Sequence, residues 1–325
     1  MQVRALPSPV VPLFLSFAVV VVVWSTTPLF LYLSTRAFPA ELAGGLRMAV
    51  AAVLATVLLR VTGARLRLDA LALQTYAAMT PGVFGAMYLS YLAAPRVPSG
   101  LISVLFGLSP VVSALCARLL RTDPLPAAGR LAAALLALAG LVLISRESGG
   151  GAAHLDAGGL ALLLVAVLLF SLSGVLVRKL GAGIDALVQT TGALWMSLPF
   201  YFGAWLLAGA PPPDTGNVHF GMAVLAIGYL AVFGSVLGFA CYYQVLKQMP
   251  AASASLITVI TPVFALALGA WLNDERLTAA MLSGALLVLA GVAGFLLPAS
   301  GLRTLQRSLS RLRGRRGTAL TADDK

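Results

Sequence analysis

Charge is what this chain of 325 residues has least of. Asp and Glu number 11, Lys and Arg 22, and all four types together make up 10% of the residues, where a soluble domain carries about a quarter. With 60% apolar residues and a mean hydropathy of +0.96, the chain cannot cover itself with a polar surface, so its solvent is lipid. Acids are absent from the interior of every long apolar run; Glu41 and Asp185 stand at run edges. That scarcity counts against chemistry built on clustered carboxylates. Cysteine is scarce too. Cys116 and Cys241 lie in separate apolar runs and give no disulfide framework. The two histidines, His154 and His219, fall in predicted loops and do not read as metal ligands. No cofactor and no metal is expected. The net charge of +11 is spread as membrane-flanking arginines, which points to lipid surface and not to nucleic acid.

What is present is a series of apolar stretches. Ten spans are predicted, at 10–33, 42–59, 71–94, 98–120, 127–145, 157–177, 185–208, 220–246, 250–272 and 277–297. Each suffices to cross about 30 Å of hydrocarbon as a helix. The first is a span and not a cleaved signal, because it is long and runs through Trp24-Ser25-Thr26-Thr27-Pro28 into further apolar sequence. The expected fold is an all-α integral membrane protein. With the N-terminus inside, 17 of the Lys and Arg residues fall on the cytoplasmic side and 5 outside, and 10 against 5 without the tail. Both termini are therefore expected in the cytoplasm, and the protein in the cell (inner) membrane.

The chain repeats itself. Shifted by 152 residues, Pro98 falls on Pro250, Ser103 on Ser255, Ser109 on Thr261, Pro110 on Pro262 and Leu125 on Leu277. A weaker echo sets Trp24-Ser25 on Phe170-Ser171. Five spans per unit is an odd number, so the second unit enters the membrane inverted relative to the first, a plan that suits alternating access. The expected units are 1–147, 148–300 and a basic cytoplasmic tail, 301–325. The Gly-rich stretch 145–159 is the linker. In the tail, Leu302, Leu305, Leu309 and Leu312 recur at helical spacing among arginines, which suits a helix lying on an anionic leaflet.

The stretches YLAAPRVPSGLISVLFGLSPVVSALCARLL (91–120) and YYQVLKQMPAASASLITVITPVFALALGAWLNDERLT (242–278) resemble the EamA family of the drug/metabolite transporter superfamily. The likeness covers nearly the whole chain as two tandem units, and the second matches better. It implies a ten-helix transporter of small metabolites with a central cavity, and the function expected is export of solutes such as amino acids. Small multidrug members of the superfamily carry a glutamate in the first span; here that span has no acid. The rival class is an intramembrane enzyme acting on lipid phosphates, and the missing carboxylates count against it.

Candidate solute-binding residues are Trp24, Thr27, Arg47, Gln189, Thr191, Trp195 and Tyr243; Pro110 and Pro262 are candidate hinges. Each has a plainer reading beside it. The prolines remove helix hydrogen bonds and either free midplane carbonyls or simply kink packed helices. Trp24 and Trp195 lie away from the interface belts, as cavity walls or as packing residues whose indole N–H finds a hydroxyl. Tyr243 matches Tyr91 across the repeat, as a gate or as a belt residue. Arg47 lies roughly 8 Å inward of the outer end of its span. It either snorkels and pairs with Glu41, or faces the cavity and binds an anionic group on the solute. The small-residue pairs Ala133/Ala137 and Ala290/Gly294 mark close helix approach, within the fold or in a homodimer.

Overall fold

The computed structural model describes residues 12–121, 128–146, 156–180, 183–248, 256–273 and 277–296. The tail 301–325, His154, Pro250, the central part of the linker and Asp274–Arg276 lie outside the described residues. Ten helices account for most of the rest. They are α1 (Leu13–Ser34), α2 (Ala40–Val61), α3 (Ala70–Thr80 continuing through Pro81–Ala86 into Met87–Ala93), α4 (Ser99–Phe106 and Ser109–Leu119), α5 (Ala128–Arg146), α6 (Ala157–Leu180), α7 (Ala186–Leu207), α8 (Phe220–Tyr229 continuing through Leu230–Leu237 into Gly238–Gln248), α9 (Leu256–Leu272) and α10 (Ala279–Leu296). Six are long and apolar enough to cross a membrane: α1, α2, α4, α6, α8 and α10. Two more, α5 and α9, contain shorter apolar stretches, 129–144 and 260–272.

Helix starts follow local chemistry. Pro12, Pro39 and Pro98 occupy the caps of α1, α2 and α4, where a missing N–H forfeits no helix bond. Asp69 caps α3 by accepting from Ala72 N at 3.2 Å, and Asp185 caps α7 by accepting from Leu187 N at 2.8 Å. Arg67 Nε also donates to Asp69 at 2.8 Å, and this holds the Asp69 carboxyl below the usual range.

Two helices carry a π-helical segment, Pro81–Ala86 in α3 and Leu230–Leu237 in α8. Each contains the tripeptide Val-Phe-Gly, at 83–85 and at 232–234. A π turn loosens the backbone ladder, and side chains from other helices bond nearby carbonyls in α3. Ser173 Oγ donates to Ala78 O at 2.9 Å, and Tyr201 Oη donates to Val83 O at 3.1 Å.

The prolines behave unequally. In α4 the helix breaks at Gly107–Leu108 and Pro110 sits in the first turn of the new segment. Phe106 O is not left bare there, because Ser109 Oγ donates to it. In α9, Pro262 lies inside a continuous helix, with Thr261 Oγ1 back-bonded to Ile257 O at 2.8 Å. A Cβ on Gly107 would stand 3.3 Å from Thr258 O, so the break brings α4 close to the α9 backbone.

Helix α5 packs along α10, α2 along α7 and α4 along α9. Helix α3 contacts α6 and α7, α8 contacts α1 and α2, and α1–α9 contacts accompany α6–α4 contacts. The α5–α10 seam is built from small residues. A Cβ on Gly291 would lie 2.5 Å from Ala137 N and 2.6 Å from Ala133 O. Gly294 faces Ala133 from the same side, whereas Ala290 is exposed. Ala133, Ala137 and Gly294 are thus used within the fold.

Candidate functional site

A cavity with about 720 Å³ of atom-free space, its mouth included, lies among α1, α2, α3, α4, α6, α8 and α9. It runs along α1 from Trp24 to Leu31, about 10 Å of helix. Two hydroxyls of α1 are turned onto its own backbone. Ser25 and Thr27 donate to Val21 O and Val23 O, at 2.6 and 2.7 Å, around the interruption at Pro28. Ser103 and Ser109 from α4, and Thr258 and Thr261 from α9, supply further hydroxyls to the lining.

Aromatic rings close in around Trp24. Its indole lies 4.5 Å from the Tyr242 ring and 6.1 Å from Phe170, the latter edge-on. Phe106 meets Phe170 edge-on at 5.6 Å. Four helices, α1, α4, α6 and α8, are joined by this cluster. Further along α1, Phe30 stacks on Tyr229 at 4.0 Å, and the Tyr229 hydroxyl bonds Thr26 at 2.7 Å.

Among the described residues, Arg47 is the only charged one in the lining. It is 1% exposed, so its guanidinium does not snorkel to an interface. Glu41 is engaged elsewhere, accepting from Tyr88 Oη at 2.9 Å. Arg47 Nε donates to Ser235 Oγ at 2.9 Å, and its Nη1 is buried with no hydrogen-bond partner. Tyr91, 0% exposed, places its hydroxyl beside Arg47 and Ser34 as hydrogen-bonding neighbours, without a bond of full geometry to either. A guanidinium offers five donors, and burying them without an acceptor is costly. The geometry presents a donor-rich, single-charge cation to a chamber that has no carboxylate in its lining.

Trp24, Thr27 and Arg47 therefore meet at one cavity, from helices α1 and α2. The other four candidates are not in its lining. Gln189 and Thr191 are buried in α7, where Thr191 Oγ1 donates to Leu187 O. Trp195 is 44% exposed, with Nε1 donating to Thr56 Oγ1 at 2.9 Å, which is the hydroxyl pairing a packing residue makes. Tyr243 packs in the core beside Phe239 and Tyr242. Phe170, Ser235 and Gly234 were not singled out from sequence. The repeat held a signal for the first, since Phe170 aligns with Trp24 and the two rings meet. Of the hinge candidates, Pro110 sits beside Ser109 of the lining and Pro262 beside Thr261.

Residues 157–297 match the EamA-like transporter family. A protein of Salmonella typhimurium named "Probable amino-acid metabolite efflux pump" is 26% identical over 168 residues, which cover 50% of this chain and 56% of that protein. The chain thus spans about half the length of that relative and of its Escherichia coli namesake. The "Uncharacterized inner membrane transporter YedA" of Escherichia coli is 22% identical over 82% of this chain and 85% of its own length. One crystal structure superposes with a TM-score of 0.63 at 19% identity, covering 87% of this chain and 95% of that one; that likeness concerns the fold. The chain is a multi-pass membrane protein whose residues 157–297 match the EamA-like transporter family, which is not a family of enzymes, and whose relatives are named as efflux pumps and membrane transporters.

Proposed function

We propose that the chain is a secondary-type carrier that exports small carboxylate-bearing metabolites such as amino acids, by alternating access around the Arg47 cavity. The buried, acid-free setting of Arg47 carries this reading: a planar guanidinium grips a carboxylate through paired N–H donors. The aromatic faces of Trp24, Phe106 and Phe170 suit the apolar body of such a solute. The export direction is supported by the names of the efflux-pump relatives.

In this reading all ten helices cross the membrane as two inverted five-helix units, 1–147 and 148–300. The contact pattern supports it. Advancing every helix by five turns α3–α6 into α8–α1, α3–α7 into α8–α2 and α1–α9 into α6–α4, and returns α5–α10, α2–α7 and α4–α9 to themselves. Helices α3 and α7 fall outside the six long apolar helices, and they pack on each other, sheltering their polar residues. The excess of arginine on one side supports cytoplasmic termini in the inner membrane, with the tail 301–325 on the anionic leaflet.

The test is transport by the purified full chain in proteoliposomes, with a panel of radiolabelled amino acids, other monocarboxylates, and amines of matched size. Carboxylate-bearing solutes should be carried and the matched amines should not. Carriage of amines at equal rates would sink the reading.

Pro110 and Pro262 are the proposed hinges, because each neighbours a hydroxyl of the lining at a point where the backbone ladder is open. Pro110→Ala lets α4 extend its helix through the break, and Pro262→Ala restores a bond in α9. Turnover should fall several-fold in each, with solute binding by equilibrium dialysis retained. Parental turnover in the double variant would leave both prolines as packing kinks.

A further inference from the structure

The solute reading does not by itself account for how Arg47 is satisfied when no solute is bound. Its guanidinium is 1% exposed and its Nη1 unbonded. Ser235 Oγ, which is neutral, occupies only Nε. The nearest acid in the same helix, Glu41, is held by Tyr88. Beside Arg47 and Ser34 stands a second buried donor, the hydroxyl of the fully buried Tyr91 on α3, which makes no bond of full geometry to either. A cation buried this way needs an anion or water-like acceptors. The cavity's remaining described lining is hydroxyl, aromatic and aliphatic, so none of the described lining residues provides the counter-charge.

We propose that the solute-free carrier binds a small monovalent inorganic anion, chloride being the commonest in solution, at Arg47 and Tyr91, and that the solute carboxylate displaces it. The groups present fit that ligand. Both groups can donate, and a guanidinium and a phenol are donors a halide accepts. No carboxylate in the lining repels it. Gly234 lets the guanidinium lie against the α8 backbone, since a Cβ there would stand 3.2 Å from Arg47 Nη2. The single cation neutralises one negative charge, which favours a monovalent ion over sulfate or phosphate. This inference rests on Arg47 as the solute's anchor, and it adds a competing ion at the same group.

The experiment follows thermal unfolding of the purified full chain by tryptophan fluorescence, in sodium chloride against sodium gluconate at equal ionic strength. Chloride should raise the melting temperature saturably, by roughly 2–4 °C at high occupancy, and bromide should do the same. Arg47→Gln should abolish the response and melt higher than the parent in gluconate, since the uncompensated charge is gone. Tyr91→Phe, which keeps the ring and is the safer variant for folding, should weaken apparent chloride affinity about fivefold. In proteoliposomes, raising chloride should raise the apparent KM for the carboxylate solute. Identical melting in chloride and gluconate would overturn the proposal, as would a chloride response that survives Arg47→Gln. Carboxylate transport that depends on Arg47 without any chloride response leaves the solute reading standing and removes this one. A chloride response lost with Arg47, in a protein that carries no carboxylate, supports the anion site and removes the solute reading.

Discussion

Arg47→Gln should cut carboxylate transport by about 10- to 100-fold. Charge-assisted hydrogen bonds contribute about 1.5–3 kcal/mol each, and every 1.4 kcal/mol is a factor of ten. Glutamine keeps an N–H for Ser235 Oγ but loses the charge and the paired donors. Arg47→Lys keeps the charge without the planar fork and should fall between parent and Gln. What separates a binding role from a structural one is the direction of the stability change. A structural arginine destabilises the fold when removed. This one is 1% exposed with an unbonded Nη1, so its removal relieves a desolvation penalty, and yield and melting temperature should hold or rise while transport collapses. Initial rates of solute efflux from proteoliposomes, normalised to incorporated protein, provide the measurement. An Arg47→Gln protein transporting at the parental rate would reduce the residue to a packing element.

A larger effect on folding is expected at the α5–α10 seam. Gly291→Ala places a methyl group 2.5 Å from Ala137 N and 2.6 Å from Ala133 O. Both are backbone atoms of α5 that no rotamer change can move, so the helices must separate. Overpacking of this kind costs about 1–3 kcal/mol, occasionally more, and here it opens a seam that also includes Gly140 and Gly284. Gly203→Ala is the matched control. It lies in α7 with nothing within 4 Å of a new Cβ, so only helix propensity acts, and that favours Ala by about 0.8–1 kcal/mol. The two substitutions are chemically the same and should move the thermal midpoint in opposite directions. A Gly291→Ala protein as stable as the parent would mean that the seam is looser than these contacts imply.

The helices were legible because apolar length leaves a continuous signal. Predicted spans such as 42–59 and 220–246 lie within or close to Ala40–Val61 and the composite helix from Phe220 to Gln248. Arg47 was legible as a lone base among apolar residues, and Trp24 and Thr27 as polar and aromatic groups far from a span end. The face each residue takes was not legible. Gln189, Thr191 and Trp195 are as conspicuous in sequence as Thr27, yet α7 turns them toward packing and toward the outside. In a helix apolar on every side, no periodicity marks which side meets the cavity. Ser235, the partner of Arg47 across 188 residues, is a small hydroxyl among many and carried no signal of its own. The π-helical segments escaped because they share the composition of the α-helix around them.

Those two segments have a consequence for chain length. A helix turns about 100° per residue, so the wide turn in α3 sets the phase of Tyr88 and Tyr91 beyond it, and the one in α8 that of Phe239, Tyr242 and Tyr243. A π turn holds one residue more than the α turn it replaces, so removing one residue between Pro81 and Ala86 would let α3 close as regular α-helix and leave Tyr91 near its present phase. Adding one residue beyond Ala86 would instead swing Tyr91 away from Arg47 by about 100°. The same holds for Tyr242 and Trp24 across the wide turn in α8: in these two helices a lost residue is absorbed where a gained one is not.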